Sequence, residues 1–299
     1  MEVEKEMAVN SYKLPSLQEL LEAGVHFGHQ VRRGDPRMNQ YIYGIRGGVH
    51  IINLESSEKK LQEAAEFLFE LGKSGKSLLY IGTKKQAKEL VKEVALKTNS
   101  SYVDFKWRGG LLTNFEEVKK NIKKLLELRD LKEKGELNKY TKKEQLLIHR
   151  KLEKFDESWG GVALMENLPD ALFVVDSVNE KTALHEAIRL GIPVVGITDT
   201  NSNPFLVTYP IPANDDATKA LKLIIETMSA VYQAGLKEWE SAKGKVESQK
   251  TDTEKKAGKS EDPVVGSDSI GVDGAILAEV AVAEEAVEKA VVEENKRES

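Results

Sequence analysis

Leu172-Phe173-Val174-Val175-Asp176 reads as a strand buried on both faces: four apolar residues in a row, closed by a carboxylate at the C-terminal edge. Residues 179–190 have helical periodicity. Gly191-Ile192-Pro193 then stops that helix and opens a second strand at 193–198. Further strand-like runs recur at 49–54, 77–82 and 101–105, and more weakly at 207–211. Helix-periodic segments at 56–71 and 84–97 lie between them. Strand alternating with helix predicts an α/β fold, a doubly wound and mainly parallel sheet of the Rossmann or flavodoxin-like kind.

One segment breaks the alternation. Residues 114–134 and 141–156 read as charged amphipathic helices joined near Gly135, with Leu125, Leu126 and Leu128 facing Leu146, Leu147, Leu152 and Phe155. They predict a helical coiled-coil hairpin inserted into the sheet domain at 114–158. The last regular helix is expected from Asp215 to about Glu240, with Asn214 as its cap. Residues 241–274 are rich in Lys, Ser, Gly and Asp without apolar periodicity, which is the composition of a disordered linker. Residues 275–294, rich in Ala, Val and Glu, suit a terminal helix that needs a partner to be stable. The organisation expected is a core domain over 1–240 and an acidic, largely disordered tail over 241–299.

The chain has 299 residues, long enough to bury a substantial core. It has no cysteine, which excludes disulfides, thiolate zinc sites and cysteine nucleophiles together. No apolar run approaches the ~20 residues that a membrane helix needs. The charged start at residues 1–7 lacks the apolar core of a secretory signal. A cytoplasmic protein without membrane contact is expected. The net charge of −5 is unevenly spread. From Glu240 onward 9 Lys and Arg stand against 15 Asp and Glu, which leaves 35 against 34 for the body. The body is close to neutral with its cations grouped, and grouping matters more than net charge for a phosphate-binding face.

Catalytic signatures are missing. Gly72 to Ser77 imitates a phosphate loop, but Glu70 occupies the first glycine position of G-x-x-x-x-G-K-[ST], and the motif precedes its strand. G-x-G-x-x-G, G-x-S-x-G and H-E-x-x-H are absent. His26 and His29, with Asp199, Asp215 and Asp216 near strand ends, admit two readings: a divalent-ion site, or polar groups capping helices and turns. The second is favoured, so no metal and no cofactor is assigned.

Three stretches suggest phosphate contact. Gly82-Thr83-Lys84-Lys85 lies where a strand gives way to a helix, the place a doubly wound sheet offers to anions. Residues 26–46 interleave Arg32, Arg33, Arg37 and Arg46 with His26, His29, Tyr41 and Tyr43, a poor core composition and a plausible RNA surface. In Lys106-Trp107-Arg108-Gly109-Gly110, Trp107 either stacks on a base between two cations or is a core tryptophan beside two solvated ones. For the other two stretches, the alternative is a solvated loop.

Taken in order, several motifs resemble those of the bacterial-type small-subunit ribosomal protein two family. They are Ala23-Gly24-Val25-His26-Phe27-Gly28-His29, Val49-His50-Ile51-Ile52-Asn53-Leu54 and Gly82-Thr83-Lys84-Lys85-Gln86-Ala87. Trp107-Arg108-Gly109-Gly110-Leu111-Leu112-Thr113-Asn114-Phe115, Thr141-Lys142-Lys143-Glu144 and Leu168-Pro169-Asp170-Ala171 follow, and Gly191-Ile192-Pro193 and Asp199-Thr200-Asn201 complete the series. The likeness covers about residues 16–236. It implies a structural, non-catalytic ribosomal protein, an α/β sheet with a coiled-coil hairpin, monomeric within the ribosome. The partners it implies are small-subunit ribosomal RNA near the junction of head and body and neighbouring small-subunit ribosomal proteins, including ribosomal protein one.

The family's RNA-facing character would fall on His26, His29, Arg32, Arg33, Arg37, Arg46, Lys84, Lys85, Lys106, Trp107, Arg108 and Asn114, and on the hairpin residues Lys119 and Lys123. Departures from the pattern are Gly34-Asp35, where the family has Trp-Asn, and Asn203, Phe205, Leu206 and Thr208 in a loop that is usually more acidic. The rival reading is a nucleotide- or sugar-phosphate-binding enzyme on the same fold, built around Lys84, Asp176 and Asp199.

Overall fold

The computed structural model describes residues 12–139 and 141–257. Its first elements stand apart from the alternation. Ser16 and Glu19 form a reciprocal capping pair that starts α1 (Leu17–Glu22). β1 (Phe27–Gln30), β2 (Ile42–Arg46) and β3 (Val49–Ile52) pair antiparallel in the order β1-β3-β2. The strand expected at 49–54 is therefore the centre of a small separate sheet. Its partners are only partly buried and each carries a glycine, so neither shows an apolar run in the sequence.

Alternation begins with α2 (Leu54–Lys73), β4 (Leu78–Ile81), α3 (Lys88–Lys97) and β5 (Ser101–Val103). It is interrupted by the helices α4 (Phe115–Glu133) and α5 (Lys142–Trp159). It resumes with β6 (Ala171–Val175), α6 (Lys181–Leu190), β7 (Val194–Thr198), β8 (Tyr209–Pro212) and α7 (Thr218–Ala257). The five later strands are all parallel, in the order β5-β4-β6-β7-β8. This is the flavodoxin-like arrangement, with its switch point between β4 and β6.

Every residue of β6 is buried, and successive side chains enter two different cores. Phe173 and Val175 pack with Leu61, Leu68, Tyr80 and Ile225; Leu172 and Val174 pack with Leu79, Leu184 and Trp107. Each large side chain so buried contributes about 2 kcal/mol. On the first face two helix backbones meet. A Cβ on Gly235 of α7 would stand 2.3 Å from the Phe69 carbonyl oxygen of α2, and one on Gly72 would stand 2.5 Å from that of Tyr232. Glycine at both positions is what lets α2 and α7 approach this closely.

The inserted helices form a hairpin that turns at Gly135, whose φ is +69°, and restarts with a Thr141–Glu144 capping pair. Its seam is narrower than the sequence suggests. Leu125 and Leu152 are buried with Ala163, and Leu128 and Phe155 pack against them. Leu126, Leu146 and Leu147 are exposed instead, because at helical spacing they fall off that stripe. Arg129 binds Asp156 across the two helices, its Nε donating at 2.9 Å.

The last helix, expected to end near Glu240, is assigned through Ala257. Good helix formers (Ala, Lys, Glu, Gln) carry it on without an apolar stripe. One compact unit closes at Glu247 and a second begins at Ser248. The rest of the acidic tail, with the helix expected at 275–294, lies outside the described residues.

Candidate nucleic-acid interface

β5 leads into the loop that carries Lys106, Trp107 and Arg108. Trp107 is buried among Leu79, Val103 and Leu111, and its indole Nε1–H donates to the Glu186 carboxylate at 2.9 Å. Stacking on a base requires an open ring face. The buried indole offers none, which is the geometry of the core alternative. Glu186, on α6, also accepts from Gly110 N at 2.9 Å and from Leu112 N, Thr113 N and Thr113 Oγ1 at 3.1 Å each. Burial pushes its carboxyl up, but the indole and the three backbone amides outweigh that and hold it below the usual glutamate range. With the core side inside, Lys106 and Arg108 point outward and are exposed. Arg108 Nη2 donates to Ser158 Oγ, near the end of α5, at 2.7 Å. Asn114, also exposed, opens α4 without a side-chain cap bond.

Beyond the end of β4, Lys84 meets carboxylates that include Asp176 at the end of β6, while Asp199 at the end of β7 meets His29 of β1. Lys84 Nζ lies 2.8 Å from Asp215, 2.6 Å from Asp216 and 3.5 Å from Asp176. Burial works against this ammonium, but its bonds to Asp215 and Asp216 hold it above the ordinary lysine range. Asp215 is pushed up to about 7, first by burial and then by the charges of Asp199 and Asp176. His29 places Nδ1 3.1 Å from Asp199 and Nε2 3.4 Å from Asp216; the bond to Asp199 raises its pKa against the effect of burial.

In this geometry the Lys84 and His29 side chains are both held by carboxylates of the protein itself. A phosphate approaching either would meet a ring of carboxylates. The same cluster gathers three residues of the divalent-ion reading, since His29, Asp199 and Asp215 each offer one ligand atom within 4.8 Å of the others. In the arrangement seen, Lys84 supplies the cation to Asp215 and Asp216. Lys85, one residue on, is exposed.

The arginine segment is braced by Thr200, in the loop after β7. Thr200 Oγ1 accepts from His29 N at 2.8 Å, and its carbonyl accepts from Asp35 N at 2.8 Å. Arg32, Arg33, Arg37 and Arg46 are all exposed. Arg37 makes a two-armed pair with Asp35, at 2.9 and 2.8 Å, and Arg32 Nε donates to Gln30 at 2.9 Å. His26 is half-buried with its ring 4.0 Å from that of Phe27, and burial lowers its pKa. It lines an apolar groove of about 410 Å³ with Leu17, Leu21, Tyr43 and Ile51; Tyr43 is 80% exposed. On the hairpin, Lys119 pairs with Glu116 at 3.4 Å and lies over the Phe115 ring, while Lys123 is exposed.

Comparison with known proteins bears on all of this. A small ribosomal subunit protein uS2 from Bdellovibrio bacteriovorus is 43% identical over 251 residues, covering 83% of this chain and 80% of that protein. Its counterpart in Coprothermobacter proteolyticus is 47% identical over 220 residues, 74% of this chain and 82% of that one. The uS2 protein of Microcystis aeruginosa is 47% identical over 214 residues, 72% and 81% of the two chains. The family model described as Ribosomal protein S2 matches residues 20–235. The chain belongs to that family. The S2 family is structural and not enzymatic, so the missing catalytic motifs have their explanation.

Within this S2 fold, two residues that organise the candidate interface went unread in the sequence. Glu186 had a visible signal: a carboxylate on the apolar stripe of a helical segment, beside Ala183 and Ala187. Thr200 was visible only inside the Asp199-Thr200-Asn201 motif, and nothing in the sequence sets its bracing role apart from that of an ordinary strand-end threonine.

Proposed function

We propose that the chain, a structural constituent of the small ribosomal subunit in the cytoplasm, binds small-subunit ribosomal RNA near the junction of head and body. The observation that carries this reading is the placement of Arg32, Arg33, Arg37 and Arg46, all exposed on a segment whose backbone is fastened to Thr200. Lys106, Arg108 and Lys123 of the hairpin form a second exposed group. Phosphate contacts from such groups supply affinity with little base readout. Specificity then comes from the shape of the RNA and the spacing of the two groups.

The chain also helps dock ribosomal protein one. Support for this is the apolar groove at Leu17, Leu21 and Tyr43, an exposed hydrophobic face of the sort that marks a protein contact. The enzyme alternative has less support. At the switch point the Thr83 hydroxyl donates to the Glu180 carboxylate, and Lys84 is held by three carboxylates, so the place where a nucleotide phosphate would sit is filled by the protein's own groups.

Sedimentation of a gentle lysate tests the reading. Co-migration with the small subunit and with full ribosomes, lost on nuclease treatment, is expected; a chain that stays at the top of the gradient contradicts it.

A further inference from the structure

We propose that Glu186 is a positioning residue for the RNA-facing loop, and that its carboxylate presets the pose in which Lys106 and Arg108 meet phosphate. This rests on the RNA-binding reading above.

The geometry is that of an anion held by a loop, with the anion belonging to the protein. Five donors converge on one carboxylate: the Trp107 indole, the amides of Gly110, Leu112 and Thr113, and the Thr113 hydroxyl. The amides of Leu111 and Asn114 close on the loop itself, Leu111 N donating to the Arg108 carbonyl and Asn114 N to that of Gly110. Every backbone N–H from 110 to 114 is thereby engaged. Gly110 permits this with φ +88°, a conformation costly for other residues.

The five partners are neutral dipoles, so bonds to one buried charge hold the loop, and such bonds are the stronger kind. Leu111 and Leu112 are buried on the inner side. Lys106 and Arg108 are left on the outer side, with Arg108 steadied on Ser158. Because α4 starts at Phe115, immediately after the loop, the same carboxylate also fixes where the hairpin leaves the sheet domain. Binding to a loop so preset avoids the entropy of ordering it.

Replacing Glu186 therefore acts on affinity without removing a phosphate contact. Glu186→Gln keeps the shape but leaves one acceptor oxygen and sets an NH₂ donor against amide donors. The probe is a transcript of small-subunit ribosomal RNA, titrated with the full chain at several salt concentrations and at a temperature where each variant is folded. Expected for E186Q is about tenfold weaker binding with a parallel salt slope, together with faster hydrogen exchange at Gly110, Leu112 and Thr113. A folded E186Q with unchanged affinity, or one whose slope becomes shallower by about one contact, overturns the proposal.

Should E186Q fail to fold, Trp107→Phe removes one donor of the five and is expected to weaken binding two- to threefold at the same slope; unchanged affinity overturns the proposal there too. Arg108→Ala separates the two ideas. It should lower both affinity and slope. If it lowers neither, the RNA reading of this loop fails, whereas a normal R108A effect beside a silent E186Q overturns only the role of Glu186.

Discussion

The Lys84 ammonium lies 2.8 Å from the buried Asp215 carboxylate, and that contact ties the end of β4 to the start of α7. A lysine just after a strand in a chain proposed to bind RNA invites assignment to phosphate. Here it is internal. Lys84→Ala is expected to cost about 3 kcal/mol, since removing one partner leaves a buried carboxylate uncompensated. It should leave the salt slope for RNA unchanged. Chemical denaturation and a salt titration check the two halves separately; a normal midpoint with a reduced slope would reverse the assignment.

Gly235 is the second position where the fold has no slack. Gly235→Ala drives a methyl against the Phe69 carbonyl and Lys73 amide, so α7 must shift or α2 must bend. The expected loss is about 1–3 kcal/mol, the usual cost of overpacking. The denaturation midpoint measures it. A midpoint equal to wild type would mean that the helices do not meet through backbone.

Acid should loosen the Glu186 loop before it unfolds the rest. The folded carboxyl is held below its ordinary 4.5, so its contribution is complete above that value and disappears as pH falls through the depressed folded value. Hydrogen exchange at Leu112 and Thr113, followed downward in pH, should accelerate in that window, and E186Q should show no such step. Protection in wild type that stays constant through acid would show that the bonds do not depend on charge.

Docking of ribosomal protein one is tested at the groove. Tyr43→Glu and Leu21→Glu place charge where the surface is apolar and already exposed, so stability should change by less than about 0.5 kcal/mol. Binding of ribosomal protein one to small subunits carrying either variant should fall by at least tenfold, while assembly of this chain onto the subunit is retained. Full binding would remove the groove from consideration.

The sequence exposed the parallel sheet because its strands are buried on both faces and so are written as continuous apolar runs, as at Ala171–Val175. β1 and β2 were hidden for the opposite reason: half-exposed strands of four or five residues with a glycine leave no pattern to count. Among site residues, exposure was legible and partnership was not. Arg32, Arg33 and Arg37 stand in a segment too polar to be core, whereas His29 and Lys84 look alike in sequence and are set apart only by carboxylates that arrive from beyond residue 170. Trp107 shows the same limit, since its two readings differ only in whether Glu186 is within reach.

The most direct measurement is the salt dependence of affinity for small-subunit ribosomal RNA, for the wild-type chain and for Arg32→Ala/Arg33→Ala/Arg37→Ala. Each phosphate contact contributes a slope of roughly one in log affinity against log salt. The triple variant is predicted to bind more weakly and with a slope lower by roughly two to three. Equal affinity and equal slope would contradict the assignment of this arginine segment to RNA.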